Sequence, residues 1–178
     1  ESFNPQSGTG YGGSVFKPTE GKQYEIGIKY QPPGSNSFIT AAIFDLRQSN
    51  VLTTDPDPTH LCGTGRCQSQ DGEVQSRGFE LEGKASLNDN LDITAAYAYL
   101  DNRISKSNNT VRYAPISDIG VGPAINAEGT TTYAVPRHTA SAWADYTFHD
   151  GNLKGFGAGA GARYVGSSWG DTANTLKV

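Results

Sequence analysis

Several groups of residues in this sequence have types and spacing that could do chemistry. In GFGAGAGARYVG (155–166), Gly155, Gly157 and Ala160 fit the loose fingerprint Gly-x-Gly-x-x-Ala. That pattern cradles a pyrophosphate only when a strand precedes it and a helix follows. The residues from Arg163 to Trp169 read instead as strand and loop, so no helix N-terminus meets a phosphate. Cys62 and Cys67 enclose Gly63 to Arg66, with His60 beside them and His138 and His149 far along the chain. A metal centre needs more donors than this. The pair predicts a disulfide closing a small loop, and hence an oxidising compartment, with two free thiols as the alternative. Asp55 and Asp57, in DPDPTH, have the acidity of a calcium loop without its ligand count. Glu80 and Glu82 share one strand face, where solvated charge accounts for them. No nucleophile-elbow pattern accompanies the serines, histidines and aspartates. Neither catalytic nor metal-ligating residues are expected.

The elements that would position such groups are strands. The chain has 178 residues, 22 glycines, 35% hydrophobic and 18% charged residues and a net charge of −4. That charge gives no reason to expect nucleic acid. No run approaches the ~18 apolar residues of a membrane helix, but a barrel strand needs only ~9–11 residues of alternating pattern. Six segments alternate with period two. They are KQYEIGIKYQ (22–31), FITAAIFDLRQSNVL (38–52), SRGFELEGKASL (76–87), LDITAAYAYL (91–100), RHTASAWADYTF (137–148) and the stretch around 155–166. In the last, Phe156, Ala158, Ala160, Ala162 and Tyr164 share a face, and glycines with Arg163 hold the other. Glycine weakens a strand, so a bare face predicts a close approach by a ligand, a plug or a neighbouring side chain.

Connections alternate between short (32–37, 88–90, 149–155) and long (53–72, 102–135). In an up-and-down array all short turns then lie at one end and all long loops at the other, as in outer-membrane barrels. Such a barrel would turn Tyr24, Ile26, Ile28 and Tyr30 to lipid, together with Phe38, Thr40, Ala42, Phe44 and Leu46. Glu25, Lys29, Asp45, Arg47, Glu80, Glu82, Lys84, Asp92, Asp145 and Arg163 would line a watery lumen. A soluble sandwich would bury the same apolar faces. Two features favour the barrel. The apolar faces carry much alanine and few bulky aliphatics, a thin payload for a packed interior. Aromatics also gather near strand ends (Tyr24, Tyr30, Phe38, Tyr97, Tyr99, Tyr146, Phe148, Tyr164), as membrane-interface girdles do. Lipid-exposed backbone must be paired, so strands close into a ring, and six are too few. The chain reads as one arc of a larger barrel, residues 1–178 all belonging to a single transmembrane β-barrel domain.

GKQYEIGIKY (21–30), SRGFELEGKA (76–85) and VPRHTASAWADY (135–146), with the sequence around them, resemble the C-terminal barrel portion of TonB-dependent ferric-siderophore receptors. The similarity covers nearly the whole chain except the two long loops, and is nearest to receptors for hydroxamates of the ferrichrome and ferrioxamine type. It implies a 22-stranded barrel in the bacterial outer membrane, plugged by an N-terminal domain through which the TonB energy-coupling protein acts. The transported ligand would be a ferric siderophore, whose iron arrives inside its chelate, so no covalently bound cofactor is implied. The plug, the energy-coupling box and the final strand are not found in these residues. A compact chelate calls for aromatic walls and a few donors at the mouth. Arg112, Tyr113, Tyr133 and Trp169 are the candidates. The loop closed by Cys62 and Cys67 would gate the mouth or resist proteolysis. A passive porin- or adhesin-type barrel and a soluble β-sandwich binding module remain as alternatives.

Overall fold

The computed structural model describes residues 2–6, 10–112 and 124–178. These described residues form eleven strands, of which six carry the architecture. The long ones are β2 (Thr19–Tyr30), β3 (Phe38–Thr54), β6 (Gln68–Ser86), β7 (Leu91–Lys106), β10 (His138–Thr147) and β11 (Gly157–Val165). A short β1 (Ser2–Asn4) pairs with β2. Two small hairpins, β4 (Leu61–Cys62) with β5 (Gly65–Arg66) and β8 (Thr110–Arg112) with β9 (Ala124–Asn126), sit in the long connections. The sheet order is β1-β2-β3-β6-β7-β10-β11, antiparallel throughout, so each long strand lies beside its neighbour in sequence. All short turns fall at one end and all long connections at the other, as the alternating rhythm predicted.

The described residues form one layer with almost no enclosed core. Cys67 and Ala127 are the only buried apolar residues among them, while Tyr24 is 79% and Ile28 73% exposed. A sandwich would have buried that face under a second sheet. Here no second sheet covers it, which removes the sandwich.

The register shows which side chains share a face. On one side run Ile26, Ile43, Phe79, Tyr99 and His138; two residues along run Ile28, Ala41, Leu81, Tyr97, Ala140 and Tyr164. Then come Tyr30, Ile39, Gly83, Ala95, Ala142 and Ala162, and finally Leu91, Tyr146 and Ala158. From Leu91 to Tyr99 this apolar face covers about 26 Å of strand at ~3.3 Å per residue. That is close to the ~25 Å band of an outer-membrane barrel. Aromatic clusters border it. Phe79 lies 5.8 Å from Tyr99, whose ring is 5.2 Å from His138, at the long-loop end; Tyr146 and Phe148 meet at 4.9 Å at the other.

The opposite face carries Glu25, Lys29, Glu80, Glu82, Lys84, Asp92, Asp145 and Arg163. It is the polar, lumenal side.

Strand β3 departs from expectation. Phe44 pairs with Glu25, Thr40 with Lys29 and Ala42 with Glu80, so Phe38, Thr40, Ala42, Phe44 and Leu46 lie on the lumenal side. Its lipid side is Ile39, Ala41 and Ile43. Asp45 and Arg47 therefore fall on the same side as the apolar band, beyond its rim. Phe38 leaves the girdle; Lys29 lies 5.2 Å over its ring instead.

The bare face of β11 also finds its explanation. The indole of Trp143, on the neighbouring β10, lies across Gly159 and Gly161; a Cβ on Gly161 would come within 2.5 Å of Trp143 Cε3. The approaching group is a neighbouring side chain.

Candidate functional site

Strands β3 and β6 run far past the apolar band, so part of the expected loop at 53–72 is a two-stranded ribbon with irregular register near Val51 and Thr53. At its tip Cys62 and Cys67 are bonded, and Cys67 is buried. The Cys67 amide donates to the His60 carbonyl (3.0 Å), and the Asp55 amide donates to the Cys67 carbonyl (2.9 Å). The His60 ring stacks on Tyr11 with centroids 3.6 Å apart, and its Nδ1 is 3.0 Å from Asp55 Oδ2. Arg66 donates to the Asp55 carbonyl. The acidity of Asp55 and Asp57 is used internally: the Asp57 amide donates to Asp55 Oδ1, and Thr59 donates to Asp57 Oδ1 from its amide and hydroxyl. Among the described residues no group of three or more His, Cys, Asp or Glu could hold a metal ion.

Replacing both cysteines by serine is expected to loosen this tip by about 2 kcal/mol, the loop-closure entropy of so short a loop. The sheet below should be unaffected. Limited proteolysis should show earlier cutting between residues 55 and 68 while the barrel keeps its thermal transition.

The tip is also expected to respond to acid. The Asp57 amide and the His60 ring hold the Asp55 carboxyl below its ordinary value of 3.8. A lowered carboxyl contributes stability above the ordinary value and loses it as pH falls through the folded one. The Tyr11–His60 ring contact, followed by NMR, should persist down to about pH 4 and fade only below it.

The second long connection meets the first and the chain's last segment. Thr54 donates to Asn109 Oδ1 from its amide (2.7 Å) and its hydroxyl (2.9 Å). Asn174 clamps Thr131, accepting from its amide (2.7 Å) and donating to its carbonyl (2.8 Å). The Ala134 amide donates to the Trp169 carbonyl (2.7 Å).

Two of the four sequence candidates are thereby brought together: Trp169 is bonded to the residue next to Tyr133, which is 60% exposed. Arg112 ends β8, opposite Ala124. Tyr113 lies outside the described residues. A cavity of about 230 Å³ is lined by Trp169, Thr131, Val135, Arg137, His138 and Lys177, among others. Arg137 and Lys177 were not singled out by type or spacing. Arg137 immediately precedes β10, and Lys177 is brought beside Trp169 by an isolated antiparallel bridge that no local pattern announces. On the lumenal face a second hollow of about 440 Å³ holds Glu80, Glu82 and Arg163 over the small residues Ala96, Ala98 and Ser141.

Residues 1–178 match the family model described as TonB dependent receptor-like, beta-barrel. The chain belongs to the TonB-dependent receptor β-barrel family. It is therefore an outer-membrane barrel chain. It is 39% identical over its whole length to the ferrichrome outer membrane transporter/phage receptor of Escherichia coli K12, covering 21% of that protein. It is 35% identical over 98% of its length to the ferrioxamine B receptor of Salmonella typhimurium, covering 22% of it. The siderophore receptor PiuA from Acinetobacter baumannii superposes with a TM-score of 0.68 at 27% identity, over 92% of this chain and 21% of that one. The chain thus spans about a fifth of the length of the curated relatives it matches. These relatives are described as transporters and receptors. In a TonB-dependent receptor barrel the charged face of the sheet looks into the bore and the alanine-rich face meets lipid, which is the orientation the register and the girdles indicate.

Proposed function

We propose that this chain is an arc of an energy-coupled importer of ferric siderophores of the hydroxamate type. The observation that carries the reading is the 39% identity, across the whole chain, to a protein described as a ferrichrome transporter. Residues 1–178 then lie within one barrel domain, and TonB acts through a plug region outside them. The ferric chelate is cargo. It is bound at the long-loop end, where Arg112, Tyr113, Tyr133 and Trp169 supply aromatic walls and donors, and Arg137 and Lys177 add positive charge beside Trp169. Aromatic faces and a few convergent donors suit a compact chelate with polar and apolar patches.

The test is iron uptake by cells carrying the intact receptor, compared across hydroxamate, catecholate and haem sources. Hydroxamate-dependent growth is expected, and failure on every source refutes the transport reading. At unchanged expression, Trp169→Ala and Tyr113→Ala should each weaken chelate binding about tenfold, the loss of one aromatic contact of ~1.4 kcal/mol. Unaltered affinity in both would remove these residues from the site.

A further inference from the structure

The cavity of about 230 Å³ at the long-loop end is built from separate stretches of chain. Arg137 and His138 lie at the start of β10, Ser167 and Ser168 follow β11, and Trp169 and Lys177 belong to the last segment. That segment is a hairpin. The Ser168 and Val178 amides each donate to the other's carbonyl at 2.8 Å, and the Gly170 amide donates to the Leu176 carbonyl (2.8 Å). Trp169 stands opposite Lys177 in an antiparallel bridge. Directly opposed residues of an antiparallel pair put their side chains on one face, with Cβ atoms about 4.5–5.5 Å apart. The bridge therefore sets an ammonium beside an indole. The Asn174 clamp on Thr131 and the bond from Ala134 to the Trp169 carbonyl seat this hairpin on the stretch that leads into Arg137.

No carboxylate lines the cavity. Two acids belong to the surrounding segments, and both are engaged. Asp101 faces Arg137 Nη2 at 3.6 Å but receives Arg103 Nε more closely, at 3.0 Å. Asp171 Oδ1 accepts the amides of Thr175 (2.8 Å) and Leu176 (3.1 Å), which closes the hairpin's own turn. Lys177 is exposed, and among the described residues it forms no ion pair. The result is a cationic hollow with an aromatic wall and two serines, in a chain whose net charge is −4.

A hydroxamate loses one proton when it binds iron, so three of them cancel the charge of the ferric ion. The core of such a chelate is neutral, and its periphery sets the net charge: an amine makes it cationic, a carboxylate anionic. An indole suits the apolar body of all of them. The two cations tell them apart, by attraction to one periphery and repulsion of the other. Arg137 offers a planar fork that matches a carboxylate bidentately, and Lys177 a point charge on a flexible stem. We infer that Arg137 and Lys177 make this receptor selective for hydroxamate chelates with a peripheral carboxylate, which the two cations receive beside Trp169. The inference rests on the importer reading above and narrows its substrate class.

The test uses the intact receptor in detergent and one iron-loaded linear trihydroxamate with a terminal amine. Three forms are compared by titration calorimetry: the free amine, its N-succinyl derivative, and the primary amide of that derivative. The iron core is common to all. The amide matches the succinyl form in length and lacks only its charge. The succinyl form should bind about tenfold tighter than its amide, and the free amine about tenfold more weakly than the amide, the scale of a partly screened charge contact. Arg137→Gln/Lys177→Gln should level this ranking, whereas Arg137→Lys/Lys177→Arg, which keeps both charges, should retain most of it. Equal affinity of the wild type for the succinyl form and its amide overturns the inference and leaves the importer reading standing. So does an undiminished ranking in a glutamine variant whose heat-modifiable gel mobility shows it folded. Should the double variant fail to fold, Lys177→Gln alone decides, because that side chain is exposed: the preference should fall to about threefold, half the effect on a logarithmic scale, and an unchanged preference overturns the inference. Failure of all three forms to bind refutes the hydroxamate-importer reading, and the inference with it.

Discussion

Ala95→Arg is expected to cost about 2–4 kcal/mol, the penalty for arginine at the midplane of a barrel's lipid face, whereas Ala96→Arg, one residue on, should stay within about 0.5 kcal/mol. Ala95 sits in the central row of the apolar face, between Gly83 and Ala142. An arginine there must snorkel past two rows of apolar side chains to reach a head group or drag water into the band. Ala96 points the other way. It is flanked by Glu82 and Ser141 on the lumenal side, where a guanidinium gains a carboxylate and keeps its water. The pair isolates sidedness, because the two variants share composition, strand and depth. Urea unfolding of the intact receptor in lipid vesicles reads both values. Similar losses at both positions, or a larger loss at Ala96, would reverse the assignment of the faces and remove the membrane reading with it.

Gly78→Val should be the most damaging single change in this arc, at about 3 kcal/mol or more, near or above the usual limit of overpacking. Gly78 lies on the lumenal side of β6 between Phe44 and Leu100. A Cβ there would fall 2.2 Å from the Tyr99 carbonyl oxygen and 2.7 Å from Phe44 Cζ. The ring could rotate away. The carbonyl cannot, because it belongs to the backbone of the adjacent strand. The consequence is a specific double-variant result: Phe44→Ala should recover only part of the loss from Gly78→Val, since it removes the softer of the two obstacles. Heat-modifiable gel mobility and urea midpoints would follow this. A full rescue would show that the ring alone makes the position glycine-only.

Gly78 with Phe44 and Gly161 with Trp143 are the same device on the same face. A large aromatic lies flat over a glycine on the next strand, covering backbone that would otherwise be bare. In β11 the glycine run advertised the close approach, but the covering residue, Trp143, lies on a different strand, and only the pairing of Trp143 with Gly161 places it there.

Much of this protein was fixed by short-range pattern. Period-two alternation in KQYEIGIKY and LDITAAYAYL sets strands, because successive side chains of an extended chain point to opposite faces. The alternation of short turns and long connections sets the up-and-down order and its asymmetry, because each strand reverses direction. The spacing of Cys62 and Cys67 allowed the bond that the structure contains. What the sequence could not decide was the orientation of β3, both of whose faces are apolar, Phe38, Ala42 and Phe44 on one and Ile39, Ala41 and Ile43 on the other. A period has no sign without a polar face to set it. The tertiary structure supplied the sign by pairing Phe44 with Glu25 and Ala42 with Glu80, and that pairing is also what carried Asp45 and Arg47 to the lipid side. The meeting of Ala134 with Trp169 was likewise decided by tertiary structure, a contact between residues tens of positions apart that no local pattern encodes.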